Sequence, residues 1–195
     1  LVTDAGSTKQ SIMEAASRNL SRALFLGGHP MAGKETRGVA AAEGSLFQGR
    51  PYVLTPRRPE DLEDPRVKEF QSWLQKIGAR IIILDPASHD LLVAYLSHLP
   101  QLISTVLANA IERHIGWERA RAVAGTGLLD MTRLALSPFE IWESIFATNR
   151  EALGQALRHF TEELRHVEAN LVSGSLRETF ERAAAFAGHL RETQS

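Results

Sequence analysis

Apolar residues fall into two regimes along this chain. Up to residue 85 they form short clusters separated by polar, glycine and proline stretches. "LVT" (1–3) reads as the tail of a buried strand, and a helix follows from about Ser7 to Leu20. "ALFLGG" (23–28) predicts a second strand and "PYVLTP" (51–56) a third, bounded by prolines. Asp64 and Pro65 start a helix that ends near Gly78 and places Phe70, Trp73, Leu74 and Ile77 on its inner face. "RIIILD" (80–85) is a β-branched run that predicts a fully buried strand. Alternation of strands and helices implies an α/β sheet.

Beyond Asp85 the period changes to that of helices. Asp85 and Pro86 form a good helix start, and the apolar pattern runs on to Gly116 with Pro100 predicted to kink it. "SPFE" (137–140) and "SLRE" (175–178) have the form of capping boxes. Between them Leu153, Leu157, Phe160, Leu164, Val167 and Leu171 recur at alternating spacings of four and three. That is the narrow seam of a helix lying along another helix. The fold class is therefore α/β followed by all-α, with the boundary near residue 85.

The composition changes this picture little. The chain has 195 residues, 44% of them hydrophobic, 23% charged and none of them cysteine. Core formation is within reach, and disulfide and thiol chemistry are excluded. A net charge of −1, without blocks of like charge, argues against nucleic-acid and anionic-membrane partners. No unbroken 18-residue apolar run is present, so no membrane span is expected. With no cysteine, a reducing cytoplasm is the default expectation, and the opening residues do not have the order of a signal peptide. The first residue is Leu, not Met, and a strand at position 1 needs partners. A segment upstream is expected on both grounds.

Several positions are candidates for chemistry. In "GGHPMAGKE" (27–35), His29 follows a predicted strand, where α/β sheets bind ligands, and Gly27, Gly28 and Gly33 would let backbone approach one. A histidine there suits a general base, and equally a histidine bonded in a tight turn. Ser7, in "DAGSTK" (4–9), sits where free N–H groups at a helix start favour an anion, or serves as the helix cap. His89 and His98 are nine residues apart, on opposite faces of a straight helix. His98 and Gln101 share a face beside Pro100. Asp130, Arg133 and Trp142 lie in the helical region, with Arg133 a candidate clamp for a carboxylate. "GTGLLD" (125–130) lacks the third glycine and a preceding strand, so it is no dinucleotide fingerprint. No spacing suggests a metal site.

Taken in order, "VTDAGSTK", "GGHPMAGKE", "LF-x-G-x-x-YVLTP", "HD-x-x-x-A-x-x-SHLP" and "D-x-TR-x-A-x-SP" followed by Trp142 resemble prephenate dehydrogenases, a family that includes arogenate and cyclohexadienyl dehydrogenases. The resemblance implies the C-terminal part of a Rossmann-type nucleotide-binding domain (1–85) and a helical dimerisation and substrate-binding domain (86–195). It also implies oxidative decarboxylation of prephenate or arogenate in tyrosine biosynthesis, with NAD or NADP accepting hydride, by a homodimer.

By the same resemblance His29 takes the proton of the ring hydroxyl, and Ser7 hydrogen-bonds both histidine and hydroxyl. Arg133 binds a substrate carboxylate, and Trp142 walls the pocket. Lys34 and Glu35 govern its access and polarity, and His98 contacts substrate. Asp4, Gly6 and Ser7 face the cofactor. Gln101 stands where many members have a second histidine, "SHLPH", which leaves prephenate or arogenate open. The family's glycine-rich pyrophosphate motif has no counterpart, so the chain alone is expected not to turn over. The competing reading is a non-catalytic helical dimerisation module; a different hydroxyacid dehydrogenase fits less well, having no need of "HPMAG" and "SHLP" together.

Overall fold

A computed structural model describes residues 1–33, 38–171 and 176–192. The chain forms two compact units, Leu1–Leu153 and Gly154–Ser195.

The first unit is built on a sheet of β1 (Val2–Thr3), β2 (Phe25–Pro30), β3 (Pro51–Thr55) and β4 (Arg80–Ile83), in that spatial order. β1 runs parallel to β2, β2 antiparallel to β3, and β3 parallel to β4. Alternate residues of β2 face opposite sides. Phe25 packs with Met13 and Ala16 of α1 (Gln10–Asn19), while Leu26 packs with Tyr52, Leu54, and Val67 and Leu74 of α2 (Pro65–Lys76). The sheet is thus covered on both faces.

Three expectations need correcting here. β4 is an edge strand among the described residues, so Ile83 is 42% exposed and the run is not fully buried. β1 is the other edge, and Val2 is exposed too. The inner face of α2 is Val67, Phe70 and Leu74, with Trp73 and Ile77 turned outward. The helix does end as the sequence predicts. Gly78, at φ +81°, lets the N–H groups of Ala79 and Gly78 return to the carbonyls of Leu74 and Gln75.

After Asp85, which caps with its carboxylate on the N–H groups of Ala87 and Ser88, one long helix runs to His114. It comprises α3 (Pro86–Val93), a π-turn (Ala94–His98) and α4 (Leu99–His114). The π-turn, with Leu99 N–H bonded to Ala94 O, stands just before Pro100, which has no N–H to continue an α-ladder. Residues 86–114 are long and apolar enough, by length and composition alone, to cross a membrane, which the search for an unbroken run misses. However, His89, Asp90, His98, Gln101 and Ser104 are buried on this helix, and hydrogen bonds tie Asp90, Gln101 and Ser104 to other elements of the first unit, as in a core helix.

α5 (Trp117–Val123), α6 (Thr126–Thr132), a 3₁₀ turn (Arg133–Leu136) and α7 (Phe139–Thr148) follow. "GTGLLD" belongs to α6 and its approach. Ser137 does not cap α7: Pro138 is the N-cap residue, and Ser137 Oγ accepts instead from Trp142 Nε1 at 2.9 Å. α8 (Arg150–Asn170) passes into the second unit, which also holds α9 (Arg177–Glu192). Along the predicted seam Leu153 is buried, while Leu157, Leu164 and Leu171 are exposed. Phe180, Phe186 and Leu190 of α9 are exposed as well. Ser175 of the second capping box lies outside the described residues.

Candidate active site

Asp4, just after β1, organises the first cluster. Its Oδ1 accepts from Gly28 N at 3.0 Å, and its Oδ2 from Gly6 N at 2.8 Å and from the ammonium of Lys9. Lys9 is fully buried, and burial lowers its pKa against the opposing effect of Asp4. The glycines of β2 are required by the chain itself. A Cβ on Gly28 would stand 2.5 Å from Asp4 O, and one on Gly27 2.1 Å from Thr55 Oγ1. Those two glycines therefore admit neighbouring strands and side chains, correcting the expectation that they open the backbone to a ligand.

His29 lies inside β2, paired with Val53, and not in a loop beyond it. It keeps 9% of its surface exposed. His29 Nδ1 is 2.8 Å from His89 Nε2, and His89 Nδ1 is 2.7 Å from Asp90 Oδ1. The same carboxylate accepts Lys9 N at 2.7 Å and Gln10 N at 2.9 Å. Asp90, reaching in from α3, thus fills the N-terminus of α1. The N–H groups of Gly6, Lys9 and Gln10 are already occupied, and α1 begins at Gln10, not Ser7. Among the described residues His29 bonds His89 and makes no hydrogen bond to Ser7. Asp4 and Gly6 likewise hold the loop together, leaving Gly6 and Ser7 as its surface.

The electrostatics follow from burial. Desolvation, then His89, Lys9 and His98, push His29 from 6.5 down to about 3, with Asp4 opposing. His98 falls to about 4, chiefly by desolvation, with Asp90 opposing. Burial pushes Asp90 up, but hydrogen bonds from His89 and the N–H groups of Gln10 and Lys9 outweigh it and lower its pKa. At neutral pH both histidines are neutral and Asp90 is an anion.

A second cluster surrounds a cavity of ≈ 910 Å³ lined by Gly33, Pro100, Gln101, Arg133, Ser137 and Trp142 among others. Arg133 opens the 3₁₀ turn. α4 holds that turn through buried side chains: Gln101 Nε2 donates to Leu134 O at 2.9 Å, and Ser104 Oγ accepts from Ala135 N at 3.0 Å. His98 does not line the cavity. It is buried behind Trp142, 6.1 Å between ring centres, with Nδ1 3.3 Å from Asn149 Nδ2. Asn149 also donates to Asp90 O at 2.7 Å and so joins the two clusters.

The structure therefore gathers Gln101, Arg133 and Trp142 on one cavity and His29 with Lys9 and Asp4 in a separate cluster, with Gly33 lining the cavity four residues beyond His29. Lys34 and Glu35 lie outside the described residues. Asp130 is on the exposed side of α6. The π-turn defeats the opposite-face expectation, since His89 and His98 are both buried. Asp90, Ser104 and Asn149 carry much of the wiring without having been singled out from the sequence; only "HD" within a longer motif set Asp90 beside His89. Among the described residues no group of side chains could hold a metal ion.

Comparison with known proteins gives matches over both halves of the chain. Residues 1–83 match the family model "Prephenate dehydrogenase, nucleotide-binding domain", and residues 85–185 match "Prephenate dehydrogenase, dimerization domain". A prephenate dehydrogenase of Bacillus subtilis (strain 168) is 33% identical over 170 residues, which cover 86% of this chain and 44% of that protein. The crystal structure of Synechocystis arogenate dehydrogenase superposes with a TM-score of 0.80 at 30% identity, covering 100% of this chain and 69% of that one. Prephenate dehydrogenase from A. aeolicus, in complex with hydroxyphenyl propionate and NAD+, gives a TM-score of 0.83 at 28% identity, covering 98% and 66%. The chain spans a little under half the length of the Bacillus relative.

Proposed function

The chain belongs to the prephenate dehydrogenase family, and from that premise we propose that the protein carrying it oxidatively decarboxylates prephenate or arogenate, as a cytoplasmic homodimer with NAD or NADP. The observation that carries this reading is His29: a buried, neutral histidine at the end of β2, bonded through one nitrogen only among the described residues. We assign residues 1–85 to the nucleotide-binding domain and 86–195 to the helical dimerisation and substrate-binding domain.

A nicotinamide cofactor, when bound, would supply the hydride acceptor. Asp90 already occupies the N–H groups of Lys9 and Gln10 at the start of α1; Gly6 and Ser7, on the surface of the loop, would face the cofactor. The remaining chemistry falls to side chains of this chain. As hydride leaves C4, the hydroxyl oxygen becomes electron-poor and its proton acidic, so a weak, buried base suffices to take it. His29 holds that proton. The C–C bond to the ring carboxylate then breaks, CO2 leaves, and the electron pair passes through the ring to the oxygen, which takes the proton back from His29. Arg133 pairs with a substrate carboxylate at the cavity mouth, and Trp142 supplies an apolar wall.

The test is formation of reduced nicotinamide dependent on prephenate or arogenate, in wild type and in His29→Asn. Loss of about 10²–10⁴-fold in kcat, with KM little changed, supports the reading. Equal turnover in both proteins removes His29 as the base; no turnover in a wild type that folds and binds cofactor overturns the dehydrogenase reading and leaves the dimerisation module.

A further inference from the structure

Resting on the reading of His29 as the base, we propose that Asp90, acting through His89, fixes the tautomer of His29 so that its Nε2 is the atom that receives the substrate proton. His89 and Asp90 are then positioning residues.

The argument runs outward from the carboxylate. Asp90 is fully buried and accepts from three donors: Lys9 N, Gln10 N and His89 Nδ1. An ionised carboxylate can only accept, so His89 Nδ1 must carry a hydrogen. We take His89 as a neutral imidazole, whose hydrogen on Nδ1 leaves its lone pair on Nε2. The group facing His89 Nε2 is His29 Nδ1, 2.8 Å away, which must therefore be the donor. His29, neutral in turn, is left with its lone pair on Nε2, which bonds no other described residue.

Each hydrogen in the chain is placed by the anion at its buried end. The rings meet edge to face, centroids 5.0 Å apart at 63°, so turning one about its axis to exchange nitrogens would break the contact. As His29 gains a proton its Nδ1–H becomes a stronger donor, and His89 Nε2, backed by the Asp90 anion, accepts it without rearrangement. The other charged or titratable groups facing His29 are Lys9, His98 and Asp4. Lys9 is paired with Asp4, which leaves Asp90 as the anion aligned with the imidazole chain.

Nitrogen-15 NMR of the full chain reads the tautomers directly and needs no turnover. The expected result at neutral pH is that both His29 and His89 carry hydrogen on Nδ1 and not on Nε2. Hydrogen on His29 Nε2, or an imidazolium at either residue, overturns the proposal. In the protein carrying this chain, His89→Leu removes the acceptor and is expected to lower kcat about 10²–10⁴-fold with KM unchanged. His89→Gln, whose amide oxygen can accept from His29 Nδ1, is expected to recover part of that loss. Full activity in a folded His89→Leu also overturns the proposal. If the NMR result holds but His29→Asn is fully active, the reading of His29 as the base fails while the tautomer assignment stands. If His29→Asn is dead and the tautomers are reversed, the relay alone fails.

Discussion

Gln101 donates its side-chain amide to the carbonyl oxygen of Leu134, 2.9 Å away and one residue beyond Arg133. Its first role is therefore to hold the turn that carries the arginine, before any contact with substrate. Gln101→Leu leaves a buried carbonyl without its donor, and is expected to cost about 1–3 kcal/mol of stability. It should also raise KM for prephenate and arogenate alike, with kcat nearly unchanged. Denaturant unfolding and steady-state kinetics check the two parts. A change confined to one substrate would instead make Gln101 a reader of the side chain.

Arg133→Ala should raise KM more than it lowers kcat, because a carboxylate contact is present in both ground and transition states. Arg133→Lys should recover only part of the binding, since an ammonium lacks the planar two-pronged geometry. Kinetics on the three proteins decide it; an unchanged KM would remove Arg133 from the site.

Stability should fall as pH drops from about 7 to about 4. His29 and His98 titrate near 6.5 when unfolded and at about 3 and about 4 when folded. Between those values the unfolded chain binds more protons, so acid favours unfolding. The combined effect is on the order of a few kcal/mol and is fully developed only near the folded values. Asp90 adds to the loss at still lower pH, because its folded pKa is depressed. Urea midpoints measured across this range check the sign. A flat profile would mean that neither histidine is neutral and buried.

Asp4→Ala should destabilise by about 3–5 kcal/mol, because it leaves the buried ammonium of Lys9 without its partner. Asp85→Ala, which removes only a helix cap, should cost about 1 kcal/mol. Calorimetry of the two variants ranks them, and near-equal losses would show that Lys9 finds another anion.

The second unit leaves Leu164 and Phe180 exposed. Sedimentation of the wild type is expected to give twice the 21.5 kDa chain mass, and Leu164→Glu with Phe180→Glu to shift it toward the monomer. A monomer in both proteins would refute the dimer.

Much of this fold is legible in the sequence because the signals are local. β3 and the ends of α2 follow from proline and glycine placement, and Asp85 caps where expected. What escaped depends on contacts distant in sequence. No run of isoleucines says that β4 lies at an edge, and no periodicity says that Asp90 reaches back to Lys9. The π-turn is similarly hidden: Pro100 announces a disturbance, while its form is set by what the helix packs against. The site was legible as a set of residue types; the hydrogen-bond wiring that gives them roles was not.

Asp90 and Lys9 are 81 positions apart in the chain, on either side of the junction between the two family-matched segments. Modularity is what this contact forbids. Exchanging either segment for that of another family member keeps every named motif and still requires one carboxylate to meet two foreign backbone amides. Chimaeras joined near residue 84 should therefore fold poorly or lose activity unless α1 and α3 travel together, whichever parent supplies the rest.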